Sequence, residues 1–463
     1  MTRAGLRFRL DGFWRLAVLV IVLRAISGET SLLAYFLVTV YGIRGPRQAI
    51  EALMLSWFIT MANPGIFGPV TGGSIGRFLL LFAISASVLF RGSKRVSHVV
   101  VATILLGGYA IVHSVLFSPV LLVSVLKGVT WTLAMLSITL SFSKLSRDQF
   151  HLFRKHAYGF LALITFLCIP IYLLFPAGQM FGYGFLRGML GHSQATGALA
   201  ALMAAWAFGR ILDRPQRTVA DFAVFGVSFV TAFMSGTRTA VVAIVAALIA
   251  VLFLAAIRNR HPLRQLLRKM STPVVALGVM AVLLVAVTNS GTILNSFSSF
   301  LSKSSGAINL TDAYETSRGA LIGKMFQNIS NDPIIGIGFG IASDPETMEV
   351  ERIAGIPVSA VVEKGVAHIA IWEELGIIGL LLYVYWAVVV FSKAFRADAA
   401  SVSILATIFL LNFGDAYIFS AGGMGLLLMV LIGFASYASN RKPLLSHRQA
   451  SAPGAPGPSL EWR

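Results

Sequence analysis

Apolar runs of about 14 to 22 residues recur nearly end to end along the chain, and most of the polar stretches between them are too short to fold alone. A helix needs about 20 such residues to cross a bilayer. Read in order, the runs predict spans near residues 14–27, 29–43, 48–63, 77–90, 97–116, 119–141 and 157–175, then 194–209, 219–235, 238–257, 272–288, 368–391, 400–413 and 416–437. The first two are short and one holds Arg24, so a half-embedded hairpin there is also compatible with the pattern. The expected fold is therefore an all-α polytopic membrane bundle of about 12 to 14 transmembrane helices with one long outer loop.

Organisation follows from the same pattern. One membrane domain is expected, with N-terminal helices over 1–288, a loop with short helices over 289–367, C-terminal helices over 368–440 and a Pro-, Gly- and Ser-rich disordered tail over 441–463. The opening "MTRAGLRFRLDGFWRL" has the basic residues of a signal peptide but no convincing small-residue cleavage site after it, so it reads as a retained first helix.

Composition agrees with this picture. Of 463 residues, 57% are hydrophobic and only 12% charged, and the mean hydropathy is +0.81, which leaves too little polar surface for a soluble protein of this size. The net charge of +18 does not indicate nucleic acid, because the basic residues sit in small groups between apolar runs. Placing the N-terminus in the cytoplasm puts 27 of the 37 lysines and arginines on the cytoplasmic side and eight on the other, with Arg24 and Lys127 inside spans. That is the positive-inside pattern, and it puts both termini in the cytoplasm. The single cysteine, Cys168, excludes a disulfide framework.

The polar chemistry gathers on the outer side. The long loop contains a candidate amphipathic helix, "TSRGALIGKMFQNI", stopped by Asp332 and Pro333. Gly336, Gly338 and Gly340 then allow the backbone to run close to another surface or to a ligand. Their spacing lacks the preceding strand and the Lys-Ser/Thr pair of a nucleotide loop. In "FMSGTRTAVVAIV", Arg238 opens a span; it either snorkels toward headgroups or clamps an anion beside the free N–H groups of the helix start. In "FLRGMLGHSQATGALAAL", Arg187 and His192 are the ionisable members, and Ser193, Gln194 and Thr196 are candidate caps.

Arg187, Arg238, Arg318 and Lys364, with His192 and His368, are thus expected at one membrane face, alongside the carboxylates Asp312, Asp332, Glu363, Glu373 and Glu374. Such a cationic pocket suits a lipid-linked phosphate or pyrophosphate. His368 is either a satisfied structural histidine or a general base that takes a proton from a sugar hydroxyl. If the helix already includes residue 368, Trp372 shares its face and Glu373 and Glu374 point elsewhere, to cap the loop or orient a partner. No HExxH, H-x-H or Asp-x-Asp pattern indicates a metal. Arg24 and Lys127 are expected to face the bundle interior or water, since each costs roughly 2.5 to 3.5 kcal/mol at mid-bilayer.

The order of these features resembles the O-antigen ligase and polymerase family of bacterial envelope-polysaccharide proteins. "GMLGHSQATG", "SGTRTA", "SRGALIGKMFQNISNDPIIGIGFG" and "AHIAIWEELGIIGLLL" carry the resemblance over residues 185 to 385. It implies a metal-independent, inverting glycosyltransferase without cofactor that moves glycan off undecaprenyl pyrophosphate at the periplasmic face of the inner membrane. Carried over by motif position, it gives Arg238 and Arg318 the pyrophosphate and His368 the acceptor hydroxyl, with Arg187, His192, Lys364, Glu363, Glu374 and Gly338 as further substrate contacts. A chain-length regulator and export proteins are the expected partners, and no nucleic acid. Ile369 stands where many members have Asn after the His, which points toward an exopolysaccharide polymerase. The alternatives are a ligase that passes finished glycan to lipid A core, and a flippase or transporter. The last would require broken helices at the bilayer midplane and an internal repeat, neither of which is evident in the sequence.

Overall fold

The computed structural model describes residues 11–70, 72–92, 97–181, 184–213, 219–257, 319–353, 356–360, 362 and 364–438. The predicted span at 272–288, the tail, Asp312, Arg318 and Glu363 lie outside them. The described residues form fifteen helices: α1 (Gly12–Ile26), α2 (Thr30–Gly42), α3 (Pro46–Met61), the single turn α4 (Pro64–Phe67), α5 (Gly73–Phe90), α6 (His98–Phe117), α7 (Leu121–Lys144), α8 (Arg147–Leu174), α9 (Ser193–Asp213), α10 (Val219–Met234), α11 (Arg238–Ile257), α12 (Ala320–Asn331), α13 (Ala367–Phe395), α14 (Ala399–Leu411) and α15 (Gly423–Tyr437). Local chemistry sets many of the boundaries. Asp11 accepts from Trp14 N at the start of α1, Pro46 opens α3, and Ser146 with Gln149 closes a reciprocal capping box on α8.

Six helices, α5 to α9 and α13, have the length and apolar composition to cross a membrane; α2, α10, α14, α15 and the stretch Arg238–Phe253 of α11 are apolar over 10 to 17 residues. Every predicted span within the described residues falls on a helix. The sequence reading differs from the structure in four places, the fourth being the break within α13. The span placed at 157–175 starts ten residues earlier, at the Ser146 cap, because α8 carries polar residues over its first turns. The last span starts at Gly423, and residues 412–422 form a loop. The long outer loop is not purely helical. It holds an antiparallel hairpin, β1 (Val350–Ile353) with β2 (Ile356–Ala360), bulged between Glu351 and Arg352.

The core is helix on helix. α9 is buried along nearly its whole length and α15 from Met424 to Tyr437. The small residues of "ATGALAALMAAWAFG" let neighbours approach closely: a Cβ on Gly209 would lie 2.3 Å from Ala400 Cα of α14. At one end of the bundle Asp213 accepts from the Ala399 and Ala400 amides and Arg154 pairs with Asp398. At the other end, here the site face, Asn63 donates to the Ala177 and Gly188 carbonyls, Leu186 N donates to Met234 O, and Ala367 N donates to Asn412 O. Arg24 belongs to this end. Its guanidinium donates to Ser31 Oγ and to the Phe67 and Gly68 carbonyls, so it fastens the α4 turn rather than serving a ligand.

The predicted continuous span at 368–391 is two helical segments. Gly376 breaks α13 with φ 63° and ψ −168°. The turn that follows α12 lies against the break: Ile337 N donates to Glu373 O, Gly338 N to Glu374 O, and Ile377 N to Pro333 O. A Cβ on Gly376 would come within 1.8 Å of Ile334 O, and one on Gly336 within 2.6 Å of Glu373 O. These glycines therefore serve a backbone-to-backbone approach.

Candidate functional site

The break in α13 positions a buried ionic network. Glu373 and Glu374 precede it and Lys364 leads into the helix, and all three are buried (0%, 5% and 3% exposed). Lys364 Nζ donates to Glu373 and lies 3.5 Å from Glu374 Oε1. Asn328 of α12 donates to Glu373 Oε1 at 2.7 Å, and the Gly340 amide donates to Glu374 Oε2 at 2.7 Å. Charges removed from water persist only when paired and hydrogen-bonded, and each carboxylate here has both kinds of partner. The helical spacing placed Glu373 and Glu374 off the face of Trp372 and left open which would cap the loop and which would orient a partner. Here Glu374 accepts from the Gly340 amide, Glu373 holds Lys364 and Asn328, and Trp372 donates to Pro333 O.

Beside the network lies a cavity of about 180 Å³ lined by Arg77 of α5, Lys127 and Thr130 of α7, Gly340, Ala360, Lys364, Ala370 and Glu374, and by residues 416, 419–422 of the loop before α15. Lys127, to which the sequence assigned no role, donates to Gly340 O at 2.6 Å and Ala360 O at 3.3 Å. Gly340 makes room for its stem, since a Cβ there would sit 2.7 Å from Lys127 Cδ. Arg77 was missed because, as one arginine near a helix start, it carries no local motif. Lys127 carried a readable signal, an isolated cation within an apolar run, without an address.

The other predicted residues form a second group. Arg187 and His192 lie in the loop before α9, and Arg238 opens α11. The two segments meet through the Leu186–Met234 backbone bond, the packing of Phe185 on Gly236, and Thr237 Oγ1 donating to Ser193 O at 3.3 Å. His192 itself supplies the cap expected from its neighbours, its Nδ1 accepting from the Gln194 amide at 3.2 Å. Thr196 instead ties the loop by donating to Arg187 O. Burial lowers the Arg187 guanidinium from its usual value.

His368 lies outside the cavity lining. Ala370 faces the cavity two helical positions on, about 200° around the helix axis, so the imidazole is turned away. Its Nε2 bonds the Phe409 carbonyl at 3.0 Å and therefore carries the proton, which leaves Nδ1 to accept from Tyr383 O–H at 2.6 Å. The ring packs on Phe413 at 4.5 Å; Gly414, the next residue, packs on Thr239 beside Arg238. The loop after α14 thus bridges the starts of α13 and α11, which carry His368 and Arg238. Gly338, with φ 114°, abuts Ser118, where a Cβ would lie 2.9 Å from its Oγ. No group of three or more potential metal-ligating side chains occurs among the described residues.

Residues 223–384 match a family model described as O-antigen ligase. The matched stretch runs from α10 into α13 and includes Arg238, Gly338, Lys364, His368 and Glu374. A comparison with curated proteins finds no match.

Proposed function

We propose, on the premise that residues 223–384 are an O-antigen ligase family domain, that this membrane protein is a glycosyltransferase. In this reading it polymerises undecaprenyl-pyrophosphate-linked oligosaccharide repeat units at the periplasmic face of a bacterial inner membrane. The observation that carries the reading is the convergence at one end of the bundle of Arg238 and His368, which open α11 and α13 within the matched stretch, with the loop before α9 that carries Arg187.

The chemistry is an inverting displacement. An acceptor hydroxyl attacks the anomeric carbon of the donor, the bond from that carbon to the pyrophosphate oxygen breaks, and the electron pair leaves on the pyrophosphate. Arg238, with Arg187 and Arg318, neutralises the departing charge by planar two-point contact. His368 Nδ1 takes the hydroxyl proton after the acceptor displaces the Tyr383 phenol from it. Nothing in this scheme assigns a step to a metal.

The test is reconstitution with a purified lipid-linked repeat unit as sole substrate. A ladder of products is expected. Product only after addition of a lipid A core acceptor makes the protein a ligase, and no product with either overturns both. Arg238→Ala and Arg238→Lys should each lower turnover at least tenfold while the protein stays in the membrane, because an ammonium offers a point charge in place of a fork. Full activity of the lysine variant would contradict two-point contact.

A further inference from the structure

The cavity lined by Arg77, Lys127 and Lys364 is separate from the Arg187–Arg238 group and has no part in the chemistry above. It contains two cations that no carboxylate among the described residues bonds directly, although Glu351 acts on Arg77 and Glu374 on Lys127 from a distance. Arg77 makes no hydrogen bond or ion pair with any described residue; its guanidinium stands over the Phe78 ring at 5.1 Å. Gly422 makes room for it, since a Cβ there would lie 2.3 Å from Arg77 Nη1. Lys127 meets only the Gly340 and Ala360 carbonyls among the described residues, which leaves one of its three N–H donors unused. Glu351, the acidic residue of the hairpin nearest Arg77, is exposed, is held by Ser74 Oγ at 3.1 Å and does not line the cavity.

The open donors indicate the kind of ligand. Arg77, Lys127 and Lys364 line the cavity, Glu373 and Glu374 are both engaged by Lys364, and among the described residues no carboxylate bonds Arg77 or Lys127. A guanidinium and an ammonium with free N–H donors suit a group that presents several anionic acceptor oxygens. A planar sugar carboxylate presents two such oxygens on one small group. The volume of about 180 Å³ lies below the usual range for whole ligands, roughly 300 to 1,000 Å³, and suits a single substituted sugar. The apolar share of the lining, Phe78, Leu81, Ala370 and Phe419, suits the ring face of that sugar.

We infer that the Arg77–Lys127–Lys364 cavity is a subsite for an acidic sugar, a uronic acid or a carboxylate-bearing ketal, in the glycan that the enzyme joins. This rests on the glycosyltransferase reading above and adds a substrate class to it. The anionic oxygens could also come from the phosphates of the lipid carrier, and the experiment separates the two sources. Binding to the full-length protein in nanodiscs is measured for an oligosaccharide with one glucuronate residue, for its carboxyl-reduced counterpart, and for undecaprenyl pyrophosphate.

The acidic oligosaccharide is expected to bind at least tenfold more tightly than the reduced one. Arg77→Gln and Lys127→Gln should each erase that preference and leave undecaprenyl pyrophosphate binding unchanged. Arg77→Gln removes no hydrogen bond within the described protein, and a melting curve matching wild type shows that the loss is not unfolding. Equal binding of the two oligosaccharides by the wild type overturns the assignment, as does a loss of undecaprenyl pyrophosphate binding in these variants, which would make the cavity a carrier-phosphate site. If polymerisation proceeds without a carboxylate preference, the cavity assignment alone falls. If the preference holds but lipid-linked units give no product, the glycosyltransferase reading falls and the acidic-sugar site stands.

Discussion

His368 shows how much a single residue's role depends on its two ring nitrogens. Sequence alone left it either a satisfied histidine or a base, and the structure supplies a definite tautomer: Nε2–H toward Phe409 O and an Nδ1 lone pair held by Tyr383. The proposed base is therefore masked by a phenol that must leave. His368→Ala should lower turnover about 100-fold or more, the usual range for a general base. Tyr383→Phe exposes the lone pair and should keep activity within about threefold of wild type, with the reconstituted polymerisation rate as the readout. Equal losses in both variants would make the pair a packing unit. At this scale the sequence named Lys364, Glu373 and Glu374 but not their bonds, because pairing depends on a loop that folds back across the helix.

At the scale of elements, the decisive feature is the break at Gly376. In the sequence it lies within "WEELGIIGLLL", which reads as an unbroken apolar helix because glycine is frequent in membrane helices. What marks it as a break is the turn 332–340, whose amides find acceptors on residues 373 and 374. Gly376→Ala would place a Cβ 1.8 Å from Ile334 O in a backbone region disfavoured for alanine. The expected cost is about 3 kcal/mol. It should appear as a lowered melting temperature together with faster proteolysis within residues 333–340. Unchanged proteolysis would mean that the turn docks without the break. The transporter reading asked for a broken helix, and this break serves that reading no better than the enzymatic one, since its polar groups are closed by the outer turn.

For the whole molecule, the alternation of helices gathers the described residues 62–70, 118–120, 175–181, 184–192, 235–237, 332–353, 356–360, 364–366 and 412–422 at one end. Cys168 is buried, so a cysteine placed elsewhere can be read against a silent background. Phe181→Cys and Asp344→Cys, both exposed at the site face, should react together with a membrane-impermeant thiol reagent applied outside intact cells. Asp148→Cys at the opposite end should react only after permeabilisation. Labelling of Phe181→Cys and Asp148→Cys from the same side would break the topology.

The hydrophobic pattern by itself determined that the chain is a helical membrane protein and where nearly every described helix lies, because burial of backbone polar groups in lipid leaves helices as the only single-segment solution. Motif order also determined the family resemblance that the match at 223–384 bears out. Tertiary structure alone decided that Arg24 fastens a turn, that Lys127 joins Arg77 and Lys364 around one cavity, and that the helix of Glu373 and Glu374 is broken. The physical reason is range. Hydropathy and capping act over a few residues, whereas Lys127 and Gly340 are 213 positions apart and are brought together only by the packing of the bundle.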